Sequence, residues 1–145
     1  MLLAISDEVI SYKGVSGVWL AMTMSQVRAA LGEPDSSFRK SEDSEYLTDA
    51  YDRFGMHIFY RSPGACDAIE LFSPATPKFQ GQALLDRSFR EVRDWMQDID
   101  SSMVVDETGF TSTEFGLGVY APFAGEEPDD PIESVIVFER GYYAV

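Results

Sequence analysis

The chain has 145 residues, 45% of them apolar, and carries 25 Asp and Glu against 11 Lys and Arg, a formal net charge of -14. That length suits one ordinary domain, or two small repeats sharing a core, and the apolar fraction is enough to bury one. The charge argues against direct contact with nucleic acid or anionic lipid; a basic protein is the natural complement, unless the acids serve solubility alone.

In chain order, Met1 to Ile5 is apolar and runs into Asp7 and Glu8, without the basic start and longer apolar run of a signal peptide. No stretch approaches the roughly 20 apolar residues of a membrane-spanning helix, and the expected location is the cytoplasm. Glu8 to Tyr12 is β-prone, with Gly14 and Gly17 breaking the run before Val18-Trp19-Leu20. Thr23-x-x-Gln26 is a capping box, and Gly32 and Pro34 close the helix it opens, which buries Val27, Ala30 and Leu31. Asp35 to Glu45 is polar apart from Phe38 and reads as a loop or a solvated strand edge. Two strands are expected between Tyr46 and Tyr60, with Met56, Ile58 and Tyr60 on one face. Arg61-Ser62-Pro63-Gly64 then turns the chain into Cys66 to Phe72, where Ile69 and Leu71 face inward and Glu70 outward.

Ser73 to Pro77 is a connector, after which the order of elements returns. Ser88-x-x-Glu91 repeats the cap sixty-five positions after Thr23 and opens a helix to about Met96 that buries Phe89, Val92, Trp95 and Met96. Strands follow at 103–105, 109–113, 115–120 and 134–138. Phe54-Gly55 is echoed by Phe115-Gly116, and Ala68-Ile69-x-x-Phe72 by Ser134-Val135-x-x-Phe138. The expected architecture is α+β: a single domain over 1–145, made of two tandem helix-plus-antiparallel-meander repeats, about 8–73 and about 79–145, that share or pack their sheets.

The phrase Leu20-Ala21-Met22-Thr23-Met24-Ser25-Gln26-Val27, with Leu31-Gly32-Glu33-Pro34, resembles the G-M-T-x-x-x-V…L-G-x-P signature of the SmpA/OmlA lipoproteins and beta-lactamase inhibitory proteins. The resemblance implies a helix-plus-sheet repeat used to grip other proteins; Ala21 stands at that signature's Gly, and no lipoprotein signal or its Cys accompanies it. More loosely, an acidic, aromatic-rich α+β chain is similar to bacterial immunity proteins.

Chemistry-bearing motifs are few. His57, the sole histidine, is either a general base or a structural strand residue, and Cys66, the sole cysteine, is either a nucleophile paired with it across the hairpin or a small core residue. Cys66 alone precludes an intramolecular disulfide. No zinc, EF-hand or phosphate-loop spacing is present, so neither metal nor cofactor is expected. The charge is uneven: from Asp94 to Glu139 there are twelve acids and no Lys or Arg. The leading expectation is therefore a non-enzymatic immunity protein that occludes the active site of a basic partner such as a secreted toxin or nuclease. Contacts would come from Asp98, Asp100, Asp106, Glu107, Glu126, Glu127, Asp129 and Asp130, with Tyr120, Tyr142 and Tyr143 as aromatic anchors. Alternatively the acids are a solvated face, and Tyr142 and Tyr143 belong to a last strand with rings in the core. The other functional readings are a small enzyme or ligand-binding domain with His57 and Cys66 in a pocket between repeats, and an assembly partner.

Overall fold

The computed structural model describes residues 8–15 and 17–143; Met1 to Asp7, on which the signal-peptide reading turned, lie outside them. Val9–Ile10 (β1), Gly14–Val15 (β2) and Val18–Trp19 (β3) form a small antiparallel sheet ahead of helix α1, Met24–Leu31. Ser36–Phe38 (β4), Thr48–Tyr51 (β5), a 3-10 turn at Asp52–Phe54, Met56–Arg61 (β6) and Ala65–Phe72 (β7) follow. The hairpin Lys78–Phe79 (β8) and Gln82–Ala83 (β9) precedes helix α2, Phe89–Ile99. Val104–Asp106 (β10), Gly109–Ser112 (β11), Leu117–Tyr120 (β12) and Ser134–Phe138 (β13) complete the chain.

The fold is α+β, with one eight-stranded sheet in the order β10-β11-β12-β13-β7-β6-β5-β4. Each neighbouring pair in it is antiparallel. The strands of the two halves thus join into a single sheet, with the last strand of each half, β7 and β13, side by side at the centre. No helix among the described residues is long and apolar enough to cross a membrane.

Local chemistry sets the helix ends. The Thr23 hydroxyl accepts from the Gln26 amide at 3.1 Å, while the Gln26 side chain accepts from the Thr23 amide at 2.9 Å. Gly32, at φ 86, ends α1. In α2, Ser88 caps the Glu91 amide at 3.1 Å, but the Glu91 carboxylate accepts from Arg87 instead of closing the box. With no glycine stop, α2 continues past Met96 to Ile99, and the Asp100 amide donates to the Met96 carbonyl. Of the residues expected inside, Ala30 and Trp95 are only partly buried.

Other elements depart from expectation for equally local reasons. The polar run after Asp35 is the exception that keeps to its reading as a solvated strand edge, supplying β4 paired with β5. The hairpin β8–β9 escapes periodicity because each strand has two residues, around Gln80 and Gly81 at φ 49 and 79. Phe115 and Gly116 form a turn, with Gly116 at φ 68, so β12 starts at Leu117. Arg140 to Tyr143 is a turn as well and adds no last strand.

Both helices pack on the same sheet face. Val27 and Leu31 of α1 and Phe89, Val92 and Met96 of α2 share one core with Met56, Ile58, Ile69, Leu71, Val135, Val137, Leu117 and Phe110. A β-bulge, in which Asp67 is the extra residue between the pairs Phe59–Ala68 and Tyr60–Cys66, switches the faces of β7. Cys66 consequently points into the main core, whereas Ala68 belongs to a small cluster on the other side.

A carboxylate is buried beside that core. Asp49 is 0% exposed, and its carboxylate accepts from Arg28 at 2.8 and 3.0 Å, from Tyr60 at 3.0 Å and from Ser37 at 3.2 Å. Arg28 thereby fastens α1 to β5, while Ser37 and Tyr60 tie in β4 and β6. Burial and the adjacent Asp49 charge push the Tyr60 phenol far above its ordinary pKa, so it remains a donor.

Removing the cation leaves a buried carboxylate without its countercharge. Arg28→Ala is expected to lower the unfolding free energy by about 3 kcal/mol, measured by urea denaturation; a loss below about 1 kcal/mol would mean that Asp49 is solvated after all. Ala21 occupies the left-handed region at φ 75. Ala21→Gly should therefore stabilise the fold by about 0.5–1 kcal/mol, strain relief exceeding the gain in unfolded-state freedom, and a lowered thermal midpoint would contradict this.

Candidate functional site

Both helices lie on one side of the sheet, so the other face carries no helix; Tyr12 and Tyr142 pack over its centre, where Phe59, Ala68 and Phe138 are buried. Its side chains form cross-strand rows. Phe59, Ala68 and Phe138 stand side by side. A second row runs Ala50, His57, Glu70, Ile136, Gly118, Thr111, Val104. A third runs Phe72, Ser134, Tyr120, Gly109, Asp106. Phe38, Tyr120 and Tyr143 are 38%, 48% and 51% exposed, a large aromatic presence for a surface.

Over β11 to β13 this face sinks into a groove of about 260 Å³. Two glycines make the depression. A side chain on Gly109 would collide with the Val119 carbonyl, and one on Gly118 would crowd the Phe110 carbonyl and Ile136 at 3.1 and 3.4 Å. Glu70 and Asp106 bring carboxylates to the walls, Thr108, Thr111 and Ser134 hydroxyls, and Tyr120 and Tyr143 rings. Glu70 is held in place by Ser134 at 3.2 Å and by His57 Nδ1 at 3.1 Å. Asp106 accepts from the Thr108 amide at 2.8 Å and its hydroxyl at 3.2 Å, both through Oδ1. Beside the groove, Lys40 Nζ sits 4.4 Å from the Phe59 ring centre and 5.0 Å from that of Tyr142, and donates to the Tyr142 hydroxyl.

The acids and tyrosines expected from sequence divide among four places. Asp106, Tyr120 and Tyr143 meet at the groove. Tyr142 is half-buried, stacked on Phe138 with ring centres 5.8 Å apart, and burial next to Asp67 and Glu70 pushes its phenol up to about 12. Glu107 and Glu126 border a second depression beside Phe123, itself 61% exposed, and Glu127 lies exposed on the same turn. The rest cluster around α2. Asp98 is exposed on that helix, and Asp129 accepts from Arg90 at 2.9 Å. The Asp130 carbonyl receives the Phe89 amide at 2.9 Å, so this loop fastens the start of α2.

Asp100 must be withdrawn from the contact pool. It is 4% exposed and receives the Ser102 amide at 2.9 Å, the Ser102 hydroxyl at 2.6 Å and the Ser112 hydroxyl at 2.7 Å, locking the end of α2 to β11. The pocket joining His57 and Cys66 is likewise corrected. Cys66 is fully buried in the main core, where desolvation pushes the thiol up to about 12, and the bulge directs it away from the face that carries His57. His57 instead bridges Glu70 and Asp52, the latter at 3.2 Å, between the rings of Phe38 and Phe72. Among the described residues no cluster of three or more His, Cys, Asp or Glu is placed to hold a metal ion.

Sequence reasoning missed Glu70, Gly109, Gly118 and Ser134 as parts of one site. Alternation marked Glu70 as outward, but the register that makes it and Asp106 line one groove spans five strands.

Desolvation alone would raise the Asp100 pKa; hydrogen bonds from Ser102 and Ser112 outweigh it and hold the carboxyl below its ordinary value. A depressed folded-state pKa gives stability that is complete above the unfolded value and lost as pH falls through the folded one. Asp100→Asn should cost about 1 kcal/mol at pH 7, the gap closing below about pH 4, and a gap independent of pH in denaturant titrations would contradict the assignment. No family model matches the chain, and neither does any curated protein or solved structure.

Proposed function

We propose that this chain is a non-enzymatic inhibitor, an immunity protein that neutralises a basic bacterial toxin by covering its active site. The observation that carries the reading is the acidic, aromatic-rimmed groove on the helix-free sheet face. Tyr120 and Tyr143 line the groove with Glu70 and Asp106, no Lys or Arg lines it, and exposed Phe38 lies against His57 towards the far edge of the face. Aromatic anchors supply area at small entropic cost, and a single-sign field accelerates encounter with an opposite charge by roughly 10 to 10³-fold. The twelve acids from Asp94 to Glu139, with no cation among them, extend that field over the second half. The resemblance of Leu20 to Pro34 to protein-gripping scaffolds adds support, as does the separation of His57 from Cys66, which removes the one catalytic pair on offer. The reading places the chain in the cytoplasm, guarding its own cell.

The two halves are, in the same reading, tandem copies. Thr23 and Ser88 cap corresponding helices, and Ala68 and Phe72 correspond to Ser134 and Phe138. These matched residues pair crosswise, Ala68 with Phe138 and Phe72 with Ser134, as a two-fold relation between copies requires.

The test uses the full chain as bait in a lysate of its host, followed by assay of any captured enzyme. A basic protein should be recovered, its activity abolished by a stoichiometric amount of the chain, with binding weakened by salt. Tyr120→Ala should cost about 1–2 kcal/mol of binding without moving the thermal midpoint. Capture of only acidic or neutral proteins, or a partner whose activity persists when saturated, would sink the proposal.

A further inference from the structure

We infer that the groove over β11 to β13 is a recognition site for an arginine side chain, presented by the basic partner of the reading above, on which the choice of occupant rests. Its size suits a small guest, since sites for drug-sized ligands run to about 300–1,000 Å³ and this one holds about 260 Å³. A single long side chain suits it. The lining selects charge. Glu70 and Asp106 are its ionisable carboxylates, and among the described residues no Lys or Arg lines it to neutralise them.

The chemistry favours guanidinium over ammonium. Asp106 engages its own turn through Oδ1, which leaves Oδ2 to accept, while Glu70 is oriented by Ser134 and His57. Tyr120 and Tyr143 offer faces on which a planar cation stacks, and arginine sheds its hydration more readily than lysine. Glycines at 109 and 118 let the side chain lie close to the sheet backbone. The same face already takes a cation independently of the groove. Lys40 rests over Phe59 and Tyr142, one ring away from Tyr143, whose centre is 4.9 Å from that of Tyr142.

The probe is the capped tripeptide acetyl-Gly-Arg-Gly-amide, titrated into the isotope-labelled full chain and followed by amide chemical shifts, with acetyl-Gly-Lys-Gly-amide in parallel. Shifts should concentrate at Gly109, Thr111, Gly118 and Tyr120, and the arginine peptide should bind several-fold tighter than the lysine one. Asp106→Asn keeps the turn and should weaken binding about tenfold; Glu70→Gln should do the same, though it also touches His57 and Ser134. Asp98→Asn and Glu126→Gln remove equal charge elsewhere and should change affinity less than about twofold. Equal losses in all four variants, or equal binding of the two peptides, would overturn the site. A captured basic enzyme that binds Asp106→Asn as tightly as the parent would overturn the groove and leave the inhibitor reading standing. Localised arginine binding without any captured basic protein would support the groove and count against the inhibitor reading alone.

Discussion

The carboxylate of Asp49, closed off from water, is the constraint on which the first half of the molecule depends. A buried charge is tolerable only when its partners are fixed, and here they come from α1, β4 and β6 around β5. The orientation of α1 against the sheet is thus specified by hydrogen-bond direction as well as by the apolar contacts of Val27 and Leu31. In the second half, Asp100 plays the corresponding part with neutral hydroxyls, holding the end of α2 to β11. Each helix is committed to the same sheet face by one satisfied acid.

That commitment determines what is left over. With both helices and the small β1–β3 sheet engaged in one core, the opposite face carries no helix, and Tyr12, Lys40 and Tyr142 pack over its cluster of Phe59, Ala68 and Phe138. Arg61 and Glu139 join the β6–β7 hairpin to the end of β13 through paired hydrogen bonds, so the seam between the halves is pinned. The helix-free face is therefore a broad, firmly built platform rather than a loop, and the rings and carboxylates on it are set by strand register.

Much of this was legible in the residues themselves. Caps at Thr23 and Ser88, the alternation of Met56, Ile58 and Tyr60, and the turn at Ser62 to Gly64 each announce their element through local geometry. What could not be read was long-range. Glu70, Gly118 and Asp106 come together only because β7 pairs with β13, and no local pattern encodes a pairing across more than sixty residues. Acid-rich stretches looked uniform in sequence, yet Asp100 is a buried anchor, Asp129 pairs with Arg90 beside a helix start, and Asp106 lines a groove. The bulge at Asp67 hid the fate of Cys66, since one extra residue exchanges the two faces of a strand.

The eight-stranded sheet also has two ends. β4 and β10 each contribute three residues, and β10 exposes Val104 at 64% and Val105 at 38%. An open edge is a template on which another strand can polymerise, and shortness and charge are the usual defences. Here the short edges are backed by the formal charge of -14, which makes every copy repel every other. The acidity that would draw a basic protein to the helix-free face thus also guards the sheet's two edges against self-association.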